Sequence, residues 1–197
     1  MKKLMFGLAV AGLCTAVSAV ESNIVGYQTQ NFVSGKGKLT MVNVPFANVT
    51  DGTKGVSIED LVIPEKHCDD DWEVTKCDQI WVFNTKKNGY DTFYWDMGDG
   101  ETYDPEWYNA YEDGTFTDFY PNGLPEGAAF FFQNSEAKAK PMTSSGAVDS
   151  RDEIEIELVS GKGKLTMVGN PYPVATDIEA VSIPGKHCDD DGVIQRL

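Results

Sequence analysis

The chain has 197 residues and carries 31 acidic against 16 basic side chains, a formal charge of −15. A surface of that sign repels nucleic-acid phosphates and anionic lipid headgroups, so neither is an expected partner. An apolar fraction of 41 % is ordinary for a globular protein, and the length allows one or two domains.

Met1 to Ala19 reads as a secretory signal: Lys2 and Lys3, an apolar run from Leu4 to Leu13, then small residues ending in Val17-Ser18-Ala19. The run is shorter than the roughly 20 apolar residues that cross a bilayer, so no integral membrane span is expected. Leu13 stands where a lipoprotein would carry a small residue before its cysteine, which argues against lipidation at Cys14. Cleavage after Ala19 removes two lysines and no acid, taking the charge from −15 to −17. The expected location is the periplasm, the outer surface or the medium.

Ile24 to Val33 is extended in character. Gly35-Lys36-Gly37 then offers a turn at positive φ, and Lys38 to Phe46 continues as a second strand, so the two are expected to pair as a hairpin. Ser57 to Ile63 suits a short strand or one helical turn. Gln79 to Asn84 (QIWVFN) and Tyr90 to Met97 (YDTFYWDM) flank Asn88-Gly89, a strong short-range hairpin signal. Gly98 to Gly123 is acidic, aromatic and turn-rich, Ala128 to Gln133 reads as a buried strand, and loop follows from Glu136. Glu153 to Val159 (EIEIELV) alternates apolar with acidic residues, the pattern of a strand with its isoleucines on a core and its glutamates in water. No stretch of ten or more residues beyond the leader shows an amphipathic helical period. The expected fold class is all-β, a sandwich or barrel-like module.

The chain also repeats itself. Val33 to Val42 (VSGKGKLTMV) recurs letter for letter as Val159 to Val168, a shift of 126, and KHCDDD recurs at Lys66 to Asp71 and Lys186 to Asp191, a shift of 120. The six-residue difference falls in the polar stretch matching Asn48 to Gly55, where a loop absorbs length changes cheaply. The division is a leader at 1–19, a complete module at 20–150 and an incomplete second copy at 151–197, with Leu197 opposite Cys77. A segment of that size buries too little apolar surface to fold alone. It is expected to dock on the first module, meet another chain or stay partly disordered, and its strand edges make self-association an expected interaction.

Both histidines sit in the repeated KHCDDD motif beside a cysteine and three carboxylates. Neighbours on an extended strand point to opposite faces, which disfavours zinc; calcium through Asp69, Asp70 and Asp71 stays open, as does a structural disulfide loop. Cys68 and Cys77 are close enough to pair in an oxidising compartment, which leaves Cys188 as an unpaired thiol. A second calcium candidate is Asp96, Asp99 and Glu101 with Gly98 and Gly100, although the spacing is not that of an EF-hand. No other cofactor is implied. Aromatic residues crowd Trp81 to Tyr111, and Trp107, Tyr108 and Tyr111 are candidates for an exposed glycan platform, with core packing as the alternative. No nucleophile elbow, phosphate loop or marked carboxylate pair appears, so no catalytic residue is assigned and a polysaccharide hydrolase ranks below both a surface protein and a glycan binder.

Gly169-Asn170-Pro171-Tyr172-Pro173, preceded by Leu165 to Val168, is similar to the GNPYP or GNPFP element of secreted bacterial β-rich repeat modules. Those modules continue with an Ile-Trp strand, a Tyr-rich strand and a PxGxxFFF-like strand. Here Ile80-Trp81, Tyr90 to Trp95, and Pro125 to Phe132 stand in that order. Glu21 to Tyr27 resembles the mature start of exported proteins of Gram-negative bacteria, and Asn43-Val44-Pro45-Phe46 in the first copy departs from the pattern. The resemblance implies an exported, surface-associated β-module and names no ligand; an extracellular glycan, suggested by the aromatic cluster, and other surface proteins are the candidate partners. Mass spectrometry of the non-reduced chain is expected to find Cys68 joined to Cys77; two free thiols there would refute the loop.

Overall fold

The computed structural model describes residues 25–33, 37–43, 45–46, 58, 61–69, 73–102, 104–124, 127–148, 154–158, 163–172, 174–175, 177, 179 and 181–182. The leader, Asp70, Asp71 and the second KHCDDD with Cys188 lie outside the described residues. Among the described residues are seven strands: β1 (Val25–Asn31), β2 (Lys38–Asn43), β3 (Gln79–Asn84), β4 (Gly89–Asp96), β5 (Glu106–Asn109), β6 (Ala129–Asn134) and β7 (Pro141–Ala147). The described helical elements include one turn, α1 (Phe116–Phe119), and a 3-10 turn at Val74–Lys76. The strands form two antiparallel sheets, β2-β6-β3-β4-β5 and β1-β7, so the protein is an all-β sandwich.

Period-two alternation divides each strand between the two faces. Val42, Phe130, Phe132, Ile80, Val82, Phe93 and Trp107 point inward from the large sheet, and Phe32 and Met142 meet them from the small one. Phe32 stacks on Phe132 with ring centroids 3.9 Å apart. Ile58, Leu61 and Ile63, in the ambiguous stretch after β2, join the same core, and an isolated bridge ties Val62 to Thr143 of β7. The Asn-Gly signal is borne out: β3 and β4 pair with Asn84 opposite Gly89, and Asn88 takes a left-handed φ of 53°. Asn84 Oδ1 accepts the amides of Lys86 and Lys87 across that turn.

Two expectations are corrected. β1 and β2 do not form a hairpin, since β1 pairs with β7 and β2 with β6, in different sheets. Phe32 and Val42 thus enter the core from opposite sheets; Gln30 Nε2 donates to the Met41 carbonyl and the Val33 amide to Thr40 Oγ1. The EIEIELV segment keeps its alternation, with Ile154 and Ile156 half-buried and Glu155 and Glu157 exposed, yet 154–158 join no strand ladder.

The second copy does dock on the first module. The Gly169 amide donates to the Gly127 carbonyl at 2.7 Å, Asn43 Nδ2 donates to the Asn170 carbonyl, and Val168 bridges Ala128. Both glycines are required by close approach: a Cβ on Gly127 would lie 2.5 Å from Ile156 Cδ1, and one on Gly169 2.6 Å from Asn43 Cβ.

A buried ion pair joins the ends of several elements. Lys140 Nζ donates to Asp78 Oδ2 at 2.6 Å with both side chains within 1 % of complete burial, and Glu136 adds a second carboxylate at 3.0 Å. Asp78 also accepts the His67 amide, the Ser135 amide and the Ser135 hydroxyl. Removing one partner of such a pair leaves a buried charge unmatched, which costs about 3 to 5 kcal/mol. Urea unfolding of Lys140→Ala is expected to show a loss of that order. Lys138→Ala, which breaks the exposed pair with Glu65, should leave the midpoint nearly unchanged.

Candidate functional site

The outer face of the large sheet is unusually apolar for a surface open to solvent. Its register places Leu39, Gln133, Gln79, Tyr94 and Tyr108 in one row across all five strands, with Met41, Phe131, Trp81 and Thr92 in the next. Phe83 and Tyr90 pair beyond them. With strands about 4.8 Å apart, the first row spans roughly 19 Å. Met41 is 56 % exposed, Tyr90 42 % and Leu39 41 %, while Trp81, Phe83, Tyr94, Tyr108 and Phe131 are half-buried. Tyr90 lies edge-on to Phe83 at 5.2 Å and tilted against Trp81 at 5.9 Å and Phe131 at 6.2 Å. Trp81 Nε1 donates to Gln79 Oε1, and Gln79 Nε2 to the Val74 carbonyl, so the central ring is held in place. Burial is the main cause that raises the Tyr94 phenol, with Asp96 and then Tyr108 adding to it.

The three residues proposed from sequence as a glycan platform do not stand together. Trp107 belongs to the core at 1 % exposure, edge-on to Trp95, because the alternation of β5 turns it inward. That corrects its assignment as an exposed ring. Its neighbour Tyr108 therefore points outward, opposite Tyr94. Tyr111 is 83 % exposed but lies on the loop after β5, where Asn109 Oδ1 accepts its amide and that of Glu112. Sequence reasoning missed Met41, Phe83 and Phe131 as parts of one face, since the pairing that unites them is between strands distant in the chain.

Cys68 and Cys77 are joined by a disulfide, as the spacing suggested, and the bond fits an oxidising compartment. His67 Nδ1 lies 3.2 Å from Ser135 Oγ and its Nε2 3.6 Å from Asp69. Among the described residues no three His, Cys, Asp or Glu side chains converge on a metal position. Asp96 is 95 % buried and its Oδ1 accepts the Gly98 amide; Asp99 Oδ1 accepts the Glu101 and Thr102 amides, and Glu101 faces solvent. These carboxylates brace turns, and Asp96, Asp99 and Glu101, the calcium candidates, do not converge on one position.

A shallow pocket of about 250 Å³ is lined by Lys66, Trp95, Pro105, Glu106 and Trp107, and Lys66 Nζ sits 3.8 Å above the Trp95 ring. Comparison of the chain with family models, curated proteins and solved structures returns no match. Fold and surface together define an all-β sandwich with an aromatic outer sheet face.

Asp91 anchors that face from beneath. Asn84 Nδ2, Lys87 Nζ and the Tyr120 hydroxyl all donate to its carboxylate, and Lys87 also pairs with Glu112. Burial raises the Asp91 carboxyl, but the donors from Asn84, Tyr120 and Lys87 together outweigh it and hold it below the ordinary carboxylate range. Burial first, and then the bond to Asp91, push the Tyr120 phenol far up. The ionised Asp91 therefore favours the folded state. Its contribution is complete above the unfolded value of about 4 and disappears as pH falls through the lower folded value. Acid titration of the urea midpoint is expected to fall less steeply below about pH 4 for Asp91→Asn than for the parent chain.

Proposed function

We propose that this protein is an exported, non-enzymatic structural or adhesive β-module, and that its contact surface is the outer face of the large sheet. The observation that carries this reading is the continuous face of Met41, Leu39, Phe131, Trp81, Phe83, Tyr90, Tyr94 and Tyr108, in which three members are more than 40 % exposed. A contiguous apolar face on a soluble domain marks an interaction site. The face runs across all five strands, which suits an extended partner better than a small molecule. Export rests on the leader Met1 to Ala19, the disulfide and the resemblance to secreted bacterial repeat modules.

A second reading, favoured by rows that set aromatic rings beside an amide, makes the partner a glycan. Sugar faces stack on Trp81, Tyr90 and Tyr94, and Gln133 in the adjoining row supplies a donor and an acceptor for hydroxyls. The chain from residue 20 onward is expected to bind a glycan array or a cell-envelope fraction. Tyr90→Ala with Met41→Glu should weaken that binding at least tenfold while leaving the melting temperature within a few degrees. Binding to the envelope fraction without any glycan signal would remove the second reading, and binding unchanged in the double variant would sink the first.

A further inference from the structure

The small sheet contains a mismatch that the second copy of the repeat corrects. β1 places Gln28 opposite Ser144 and Gln30 opposite Met142 on the side that faces the core. Gln28 Oε1, Gln30 Oε1 and Ser144 Oγ are all buried there without a hydrogen-bond partner. Buried polar atoms of that kind destabilise the arrangement that holds them. The 126-residue shift aligns Ile154 with Gln28, Ile156 with Gln30 and Leu158 with Phe32. The second copy thus carries Ile-Ile-Leu where β1 carries Gln-Gln-Phe.

The second copy is also spending apolar surface. Leu158 is 46 % exposed where Phe32 is 1 % exposed, and Val168 is 43 % exposed where Val42 is fully buried. Its β2 equivalent has the same sequence from Lys164 to Val168 as Lys38 to Val42, so the edge of β6 that β2 occupies accepts either by the same register. The stretch between the two segments has the same number of residues in both copies.

We propose that residues 151–169 exchange with residues 25–43 for the slot formed by β7 and the edge of β6 that β2 occupies, which is a strand-acceptor site for the repeat itself. The β1 register pairs Val25 with Ala147, so its equivalent Arg151 falls opposite Ala147. Val148, Asp149 and Ser150 then become a three-residue hairpin loop, a common length. The incoming strand pairs with its immediate neighbour in sequence, whereas β1 closes a loop of more than a hundred residues to reach β7, so chain entropy favours the exchange. Gly26 leaves no room for a Cβ, which would lie 2.8 Å from both Phe46 and Val148. Asp152 takes that position in the exchange; Val148 enters the turn, and Phe46, three residues beyond Asn43, is drawn away with the departing segment.

Two reporters in the full chain, each with Cys188→Ser, separate the arrangements. Thr29→Cys with Thr143→Cys marks the first, since those hydroxyls lie 3.2 Å apart, and Glu155→Cys with Thr143→Cys marks the second. After equilibration with a glutathione redox couple, an intrachain bond between positions 155 and 143 is expected, reduced several-fold when Ile154→Gln and Ile156→Gln are added. Absence of that bond would overturn the proposal. So would a bond that forms only between two chains, which would assign the slot to a second copy of the protein. Hydrogen exchange on the unmodified chain checks the same point without cysteines: slow amides over 151–157 and fast ones over 25–31 are expected, and the reverse overturns the exchange.

Discussion

The buried pair of Lys140 and Asp78 is the constraint on which the rest of the sandwich depends. Asp78 follows Cys77, so the disulfide loop, the start of β3 and the His67 segment all meet at one carboxylate. Ser135, just after β6, and Lys140, just before β7, are drawn to the same point from the other side. The backbone reinforces it: the Asp78 amide donates to the His67 carbonyl, and the Trp95 amide to the Asp78 carbonyl. A charge taken out of water to this degree persists only where its partners are in place, so the pair selects one arrangement of these strand ends. The disulfide acts on the same junction by restricting the unfolded chain, and the two devices are therefore complementary.

With the strand ends held, alternation assigns the two faces of the large sheet to different tasks. The inward face is filled by Phe93, Phe130, Phe132, Ile80, Val82 and Trp107, packed against the small sheet. The outward face is also aromatic but meets no second layer among the described residues. A sheet that needed only to fold would carry polar residues there. Asp91, gripped by Asn84, Lys87 and Tyr120, fixes the end of the β3–β4 hairpin from which Phe83 and Tyr90 project. Rigidity under the rings lowers the entropy lost when a partner is bound.

The repeat gives the chain two versions of one structural segment. The first version occupies the sheets with two glutamines facing the core. The second docks at the edge through Gly127, Ala128, Asn43 and Asn170 and keeps apolar residues in water. The Asn of the GNPYP element serves this contact and its own turn, since its side chain accepts the Tyr172 amide and donates to the Val174 carbonyl. Duplication in sequence has thus produced unequal environments for identical residues, as Val42 and Val168 show.

Much of the fold was legible in the residues. The β3–β4 hairpin was marked by Asn88-Gly89, the strand at Ala129–Asn134 by its apolar run, the disulfide by two nearby cysteines, and the all-β class by the lack of a helical period. These are local properties, set by backbone preference and by side chains a few positions apart. What only the tertiary structure decided was pairing and facing. β1 and β2 part to separate sheets, Lys140 finds a carboxylate 62 residues away, and Trp107 turns inward while Tyr108 turns out. Both faces of β4 and β5 carry aromatic residues, so the alternation alone held no sign of which set would meet water. That choice belongs to strands brought together from distant parts of the chain, and it is the contacts made there that turn a run of aromatic residues into a core on one side and a solvent-facing aromatic surface on the other.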